Sequence, residues 1–360
     1  MIRFEKVTRE NFREDDYLKA NPDAALCVSK GGDAYQYFLS NENETCFQYA
    51  KQGMSDQPKI DMKSSEMDLS LIEVPLESLS KHLGEKYSDI YAPIGFIDTE
   101  KIGISHQFLD DAEVYHTNYF EPKSMKSLMQ VALDVSEANF INPNIFDLGS
   151  GSGNSVFACL ELFPNCKILA TDLSPQLLSI LTKLKKHHYP NAHVECVAID
   201  ALNVKLKPSS FDIFIGAAIL HHLINIDDVF KQAFSALKNH GHTYFFEPML
   251  SGYIAMLSLL NTLIKMNKHF KIKLEPNAIE VINRMIMTLS VRANIYVKMG
   301  VVRIKDLDDK LLLTNKEIEQ AARAAGFRKV KITNLNKSPR FQNEIQGKRI
   351  KRNKPLQLLN

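Results

Sequence analysis

The chain has 360 residues, 45% hydrophobic and 24% charged, which is ordinary for a globular protein and long for one domain, so a core domain with additions is expected. Its five cysteines (Cys27, Cys46, Cys159, Cys166 and Cys196) are odd in number and lack Cys-x-x-Cys spacing, which argues against a disulfide framework or a metal site and suits a cytoplasmic location. The net charge of +2 is uneven: residues 1–100 hold 11 Lys/Arg against 19 Asp/Glu, residues 249–305 hold 9 against 2, and residues 335–360 hold 7 against 1. The acidic front could dock on the basic back, or the basic part could face an anionic substrate, a membrane surface or RNA; a solvated tail is the plain alternative.

Residues 1–105 read as an accessory region. Residues 1–16 carry charges throughout, so no secretory leader is expected. Residues 25–29, 34–39 and 45–49 suggest three short strands, 51–68 a loop, and 71–82 a helix with apolar spacing at Leu71, Val74, Leu76 and Leu79. None carries a chemical motif. Beyond residue 104, Phe108, Tyr115, Tyr119 and Phe120 surround His116 ahead of a helix expected over 122–139. Such rings attract a cation to their faces; equally, they could pack that helix onto a sheet.

Residues 144–154 read Asn-Ile-Phe-Asp-Leu-Gly-Ser-Gly-Ser-Gly-Asn: an apolar strand carrying Asp147, then Gly149, Gly151 and Gly153, then a helix opening near Asn154. Glycines let a ligand lie against the backbone, and the helix start presents unpaired N–H groups. A dinucleotide fingerprint would place its third glycine at position 154, which is Asn. The register Asp-x-Gly-x-Gly-x-Gly instead resembles the first motif of class I S-adenosylmethionine-dependent methyltransferases.

Downstream motifs arrive in order. A strand over 166–171 ends in Asp172-Leu173-Ser174-Pro175, where a carboxylate can accept both ribose hydroxyls. A strand near 193–199 ends in Asp200-Ala201; the resemblance implies that Asp200 meets the adenine amine and the Ala201 N–H the ring. A strand over 211–216 leads into Ala217-Ala218-Ile219-Leu220-His221-His222-Leu223, and another over 241–246 ends in Glu247-Pro248. Leu-His-His-Leu followed by strand-Glu-Pro resembles the small-molecule branch of the family. By resemblance, Asp147, Gly149, Ser150, Gly151, Gly153, Asn154, Asp172, Leu173, Asp200, Ala201, Ala217, Tyr115 and Tyr119 form the cofactor site. No metal is implied. The expected fold is a Rossmann-like, mainly parallel seven-stranded sheet with helices on both faces. The sixth strand is expected at 327–335 and the antiparallel seventh near 341–350.

His221, His222 and Glu247 are candidate bases at carboxyl ends of strands, His222 first among them; the plain reading is packing or turn-holding. Residues 249–305 interrupt the strand–helix alternation with helices rich in Met, Leu and Ile, and Met249, Tyr253 and Met256 with Leu257 and Leu260 could roof a lipophilic acceptor. Residues 248–264 are uncharged but fall short of the roughly 20 apolar residues that span a bilayer. Thr314-x-x-Glu317 marks a helix start and Gly326 its end. The division expected is thus 1–105 accessory, 106–248 with 306–350 cofactor-binding, 249–305 a helical cap and 351–360 a basic tail. A small-molecule methyltransferase acting on oxygen is the leading expectation, with nitrogen and carbon acceptors open. An RNA or protein methyltransferase and a non-catalytic cofactor-binding scaffold are the alternatives, and the tail's want of aromatics for base stacking counts against nucleic acid. Peripheral membrane contact stays open, and so does the oligomeric state.

Overall fold

The computed structural model describes residues 68–96, 108–269, 274–293, 310 and 312–334, with 9, 28, 29, 31–33 and 36 before them. In chain order the strands are β1 (Leu76–Ser78), β2 (Ile90–Pro93), β3 (Asn144–Leu148), β4 (Lys167–Asp172), β5 (His193–Ala198), β6 (Phe211–Ala217) and β7 (Leu237–Phe246). They form one sheet in the order β1-β2-β5-β4-β3-β6-β7. Only the β1–β2 pair is antiparallel. The helices are α1 (Ser80–Leu83), α2 (Ala112–Tyr119), α3 (Pro122–Ser136), α4 (Asn154–Leu162), α5 (Pro175–His188), α6 (Ile226–Ala236), α7 (Leu250–His269), α8 (Pro276–Arg292) and α9 (Asn315–Ala325).

The central strands read as unbroken apolar runs because both faces of the sheet are covered. Successive residues point to opposite faces. Ile145, Ile213 and Ile215 meet Met129 of α3, Val156 and Leu160 of α4, and Leu181 of α5. Phe146 and Phe214 meet Phe230 and Ala233 of α6 and Ala321 and Ala322 of α9. The rings of Phe146 and Phe214 lie 4.9 Å apart at the centre of that second layer. Local signals fix the helix ends. The Ser174 hydroxyl accepts from the Leu177 N–H, with Pro175 at the first helical position of α5. Thr314 and Glu317 form a capping box on α9, which stops at Gly326 in the left-handed region. From β3 the chain winds out to β4 and β5, then returns to β6 and β7 on the other side. A crevice therefore opens at the carboxyl ends of β3 and β6, where ligands bind in such sheets.

Four expectations are corrected. The helix at 71–82 is absent, because Pro75 interrupts it: Leu69–Leu71 form a 3-10 turn, Ile72 bridges Leu206, and β1 and α1 follow. Val28, Ser29 and Gln36 are helical rather than extended; the Asp33 carboxylate accepts the Gln36 N–H at 2.9 Å, favouring a helix start over a strand. The remaining predicted strand residues there lie outside the described residues. Residues 327–334 join no ladder: Phe327 turns onto Phe234 at 5.2 Å, and Ile332 is left exposed. Residues 341–350 lie outside the described residues. The sixth and seventh strands of the sheet come instead from 76–93, inside the expected accessory region, with Ile90 and Ala92 sunk in the first core layer.

Candidate active site

A cavity of about 290 Å³ sits in that crevice. Its floor is the turn after β3. Gly149 has φ +71°, and a Cβ there would stand 2.9 Å from the Ile219 side chain, so only glycine lets the turn after β6 come this close. A Cβ on Gly151, at φ +52°, would meet nothing within 4 Å, which leaves its backbone open on the cavity side. Asp172 holds this turn against the end of β4. One oxygen accepts the Gly151 N–H at 2.8 Å and the other the Ser174 N–H at 2.8 Å. Burial raises the Asp172 pKa above the ordinary carboxylate value, opposed by those N–H groups. Beneath it, Asp147 is 1% exposed; one oxygen accepts the Ser155 hydroxyl at 2.6 Å and the other has no partner among the described residues. Burial pushes its pKa to about 6. At the end of β5, Asp200 also lines the cavity, and its carboxylate caps a turn by accepting from the Leu202 N–H at 3.0 Å and the Asn203 amide at 2.8 Å.

The turn after β6 forms the opposite wall. Ala217, Ala218, Ile219, His222, Leu223 and Ile224 line it, and Ala218 carries φ +56°. Glu247 organises this turn from behind. One of its oxygens accepts the Ile219 and Leu220 N–H groups, each at 2.8 Å, and the other lies 2.7 Å from His221 Nδ1. The His221 and Glu247 side chains are buried and outside the cavity lining. Of the three candidate bases, the structure brings only His222 to the cavity, with its ring edge-on to Phe108 at 5.8 Å. The Ser174 hydroxyl donates to the Phe108 carbonyl, and Tyr115 packs on Phe108 at 5.0 Å.

Leu173 and Ala201 also line the cavity, and the remaining expected residues stand behind or away from this space. Ser150 is buried, with its N–H on the Thr171 carbonyl at 2.8 Å. Gly153 precedes α4 at φ +105°, packed on Phe157. Asn154 clamps the α2–α3 junction: its amide nitrogen donates to the Tyr119 carbonyl and its oxygen accepts the Glu121 N–H. Tyr119 is 58% exposed and rests on Tyr115. Met249, Tyr253 and Met256 are outside the lining; Tyr253 accepts from Arg292 at 3.2 Å, and Met256 is exposed. Conversely, Ile219, Leu223, Ile224 and Lys310 line the cavity without having been singled out. Leu223 closes the Leu-His-His-Leu motif and Ile219 and Ile224 flank it, so the motif was a usable signal. Lys310 lies in a stretch with no motif and gave none. Among the described residues no group of three or more His, Cys, Asp or Glu side chains could hold a metal ion.

Residues 146–243 match the family model described as a methyltransferase domain. The chain carries a methyltransferase domain. The matched stretch begins in β3 and ends in β7, so it contains the glycine turn, Asp172, Asp200 and His222 but not Phe108, Tyr115, Glu247 or Lys310. Among curated proteins, the chain is similar to the malonyl-[acyl-carrier protein] O-methyltransferase of Halalkalibacterium halodurans, 29% identical over 150 residues. That alignment covers 41% of this chain and 54% of the relative, so the chain spans about half the length of the curated relative it matches. Among solved structures, it is similar to phosphoethanolamine N-methyltransferase 2 of Haemonchus contortus in complex with S-adenosyl-L-methionine, at 18% identity and a TM-score of 0.40, covering 63% of this chain and 43% of that one. An S-adenosylmethionine-dependent methyltransferase of Mesorhizobium loti aligns at 23% identity and a TM-score of 0.29, over 33% of this chain and 53% of that one. The strand order places β3 at the switch point of a Rossmann-like, mainly parallel sheet.

Proposed function

We propose that the protein is an S-adenosylmethionine-dependent methyltransferase that transfers a methyl group to oxygen on a small, lipophilic acceptor, releasing S-adenosylhomocysteine. The observation that carries this is the Asp172 carboxylate at the cavity floor beside the open face of Gly151. The residues present fit the cofactor. Gly151 leaves room for a ligand against its backbone. Asp172 would accept the ribose hydroxyls and Asp200 the adenine amine, since each carboxylate oxygen retains lone pairs beyond the one it gives to its turn. Ala217 and Ala218 leave space for the amino-acid end, and the Phe108 and Tyr115 rings suit a cation. When bound, S-adenosylmethionine supplies an electrophilic methyl group.

The rest is done by the chain. Methyl transfer is accelerated chiefly by orientation and exclusion of water. Ile219, Leu223 and Ile224 give the acceptor an apolar wall, and His222 would take the hydroxyl proton at a ring nitrogen. O-methylation by the curated relative supports oxygen as the acceptor atom. Residues 249–305 are a cap in this reading, and the cytoplasm is its compartment.

Calorimetry with S-adenosylmethionine, S-adenosylhomocysteine and NAD tests the reading. The two sulfur ligands should bind and NAD should not. Asp172→Ala should weaken the sulfur ligands by about 1–3 kcal/mol, because a charge-assisted hydrogen bond is lost. Because Asp172 also holds the glycine turn, Asp200→Ala serves as a second variant and should weaken them as well. NAD binding without the sulfur ligands, or unchanged affinity in both variants, overturns the assignment.

A further inference from the structure

Helices α7 and α8 form a hairpin that buries little of its apolar surface. Two ties make it antiparallel: Asn267 near the end of α7 accepts the Leu274 N–H at 2.8 Å, and Arg292 at the end of α8 donates to Tyr253 near the start of α7 at 3.2 Å. Of the twenty residues of α7 only Leu257 and Leu260 are buried, and of the seventeen of α8 none is. By contrast, α4 buries six of nine. Large apolar side chains are left in solvent on both helices: Ile254 at 44%, Leu259 at 54%, Val281 at 46%, Met285 at 43% and Met287 at 64%. Val281 and Met285 are one turn apart and share a side of α8. A helix that met only water would carry charge along its exposed surface. Residues 250–264 of α7 hold no charged residue at all, and α8 carries the exposed ion pair of Glu280 and Arg284 among its apolar side chains, with Arg292 at its end.

The charge that is present is mostly positive. Residues 249–305 hold nine Lys/Arg against two Asp/Glu, and Lys265 and Lys268 are exposed at the closed end of the hairpin. We infer that the α7–α8 hairpin is a docking surface for an anionic lipid bilayer, with its apolar side chains at the acyl boundary and its lysines and arginines among the headgroups. Among the described residues no helix is long and apolar enough to cross a membrane, so the hairpin lies on the surface. Methionine suits this boundary because its unbranched side chain adapts to irregular apolar surroundings. A second copy of the chain is a poorer occupant, because a two-fold contact would press two strongly basic segments together. The acidic stretch 1–100 is a charge complement within the chain, but its described strands β1 and β2 lie at the sheet edge opposite β7, from which α7 departs.

Co-sedimentation of the full chain with vesicles tests this independently of any methyltransferase activity. The protein should pellet with vesicles of equal parts phosphatidylcholine and phosphatidylglycerol, stay in solution with phosphatidylcholine alone, and be released by salt. The double variant M285E/M287E should lower the bound fraction by about tenfold or more, and K265E/K268E by about tenfold, both with the wild-type melting temperature. No pelleting, equal pelleting with both vesicles, or wild-type binding by both variants overturns the proposal. So does a concentration-dependent dimer in sedimentation equilibrium that M285E/M287E dissociates, which would assign the surface to a second copy.

Discussion

His222 and Glu247 belong to neighbouring strand ends, yet their surroundings assign them different work. His222 faces the cavity against Phe108, whereas Glu247 is spent on two backbone N–H groups and His221. Removing Glu247 leaves buried donors without an acceptor, so Glu247→Ala should lower the unfolding free energy in urea by about 2–4 kcal/mol. His222→Ala should leave that free energy near wild type and lower turnover by about 10²-fold, the usual share of a general base. A stable Glu247→Ala protein, or His222→Ala with wild-type turnover, would reverse the two roles. Asp147 yields a prediction of another kind. Burial raises its folded-state pKa from 3.8 to about 6. Between those values the folded chain holds more protons than the unfolded one, so this residue's contribution makes stability fall as pH rises from about 4 to about 6. Above pH 6 the buried charge is a standing cost. Asp147→Asn should therefore stabilise the ligand-free protein by about 1–3 kcal/mol at pH 7, with the gain vanishing below about pH 4. Urea titrations across that range decide it, and a variant destabilised at pH 7 would mean that the carboxylate is needed charged.

At the scale of elements, legibility followed the range of the interaction that decides each one. β3, β4, β5 and β6 were readable because their apolar runs are short, local and punctuated by Asp172, Asp200 and the glycine turn. The capping box at Thr314 and the Ser174-Pro175 start were readable because a cap is settled within four residues. The spacing of Leu71, Val74, Leu76 and Leu79 suggested a helix, and a long-range contact overruled it: Leu76–Ser78 pair with Tyr91–Pro93, and Ile72 bridges Leu206, about 130 residues away. Propensity yields to such pairing. The site divides in the same way. Asp172, Asp200 and His222 carry motif signals, but Glu247 and His222 look alike in sequence, since which side of a turn each faces is fixed by packing. Lys310 reaches the cavity from beyond the insertion, and nothing within its own stretch records that.

At the scale of the molecule, the cavity and the helical hairpin both arise at the carboxyl end of the sheet. Ala218 in the cavity wall donates to the Phe246 carbonyl at the end of β7, and Leu250 of α7 donates to Leu313, three residues from Lys310. The opposite edge of the sheet is closed by residues that the sequence assigned to an accessory region. There β1 and β2 seal β5, and they bring Leu79, Tyr87, Ile90 and Ala92 into the same core layer as Ile145 and Ile213. If that region were an appendage, its removal would be tolerated. Burial of Leu79, Tyr87 and Ile90 alone is worth about 4.5–9 kcal/mol, at about 1.5–3 kcal/mol for each large side chain, and a domain of ordinary stability has about 5–15 kcal/mol in all. Removing β2 also bares the β5 edge, a template for aggregation. Comparing residues 68–360 with 97–360 isolates this strand pair. The shorter chain should lose about 5 kcal/mol or more relative to the longer one in urea, and should aggregate in sedimentation velocity. Equal midpoints and a monomeric shorter chain would mean that the sheet closes without its edge strands, and the boundary near residue 105 would then be a true domain limit.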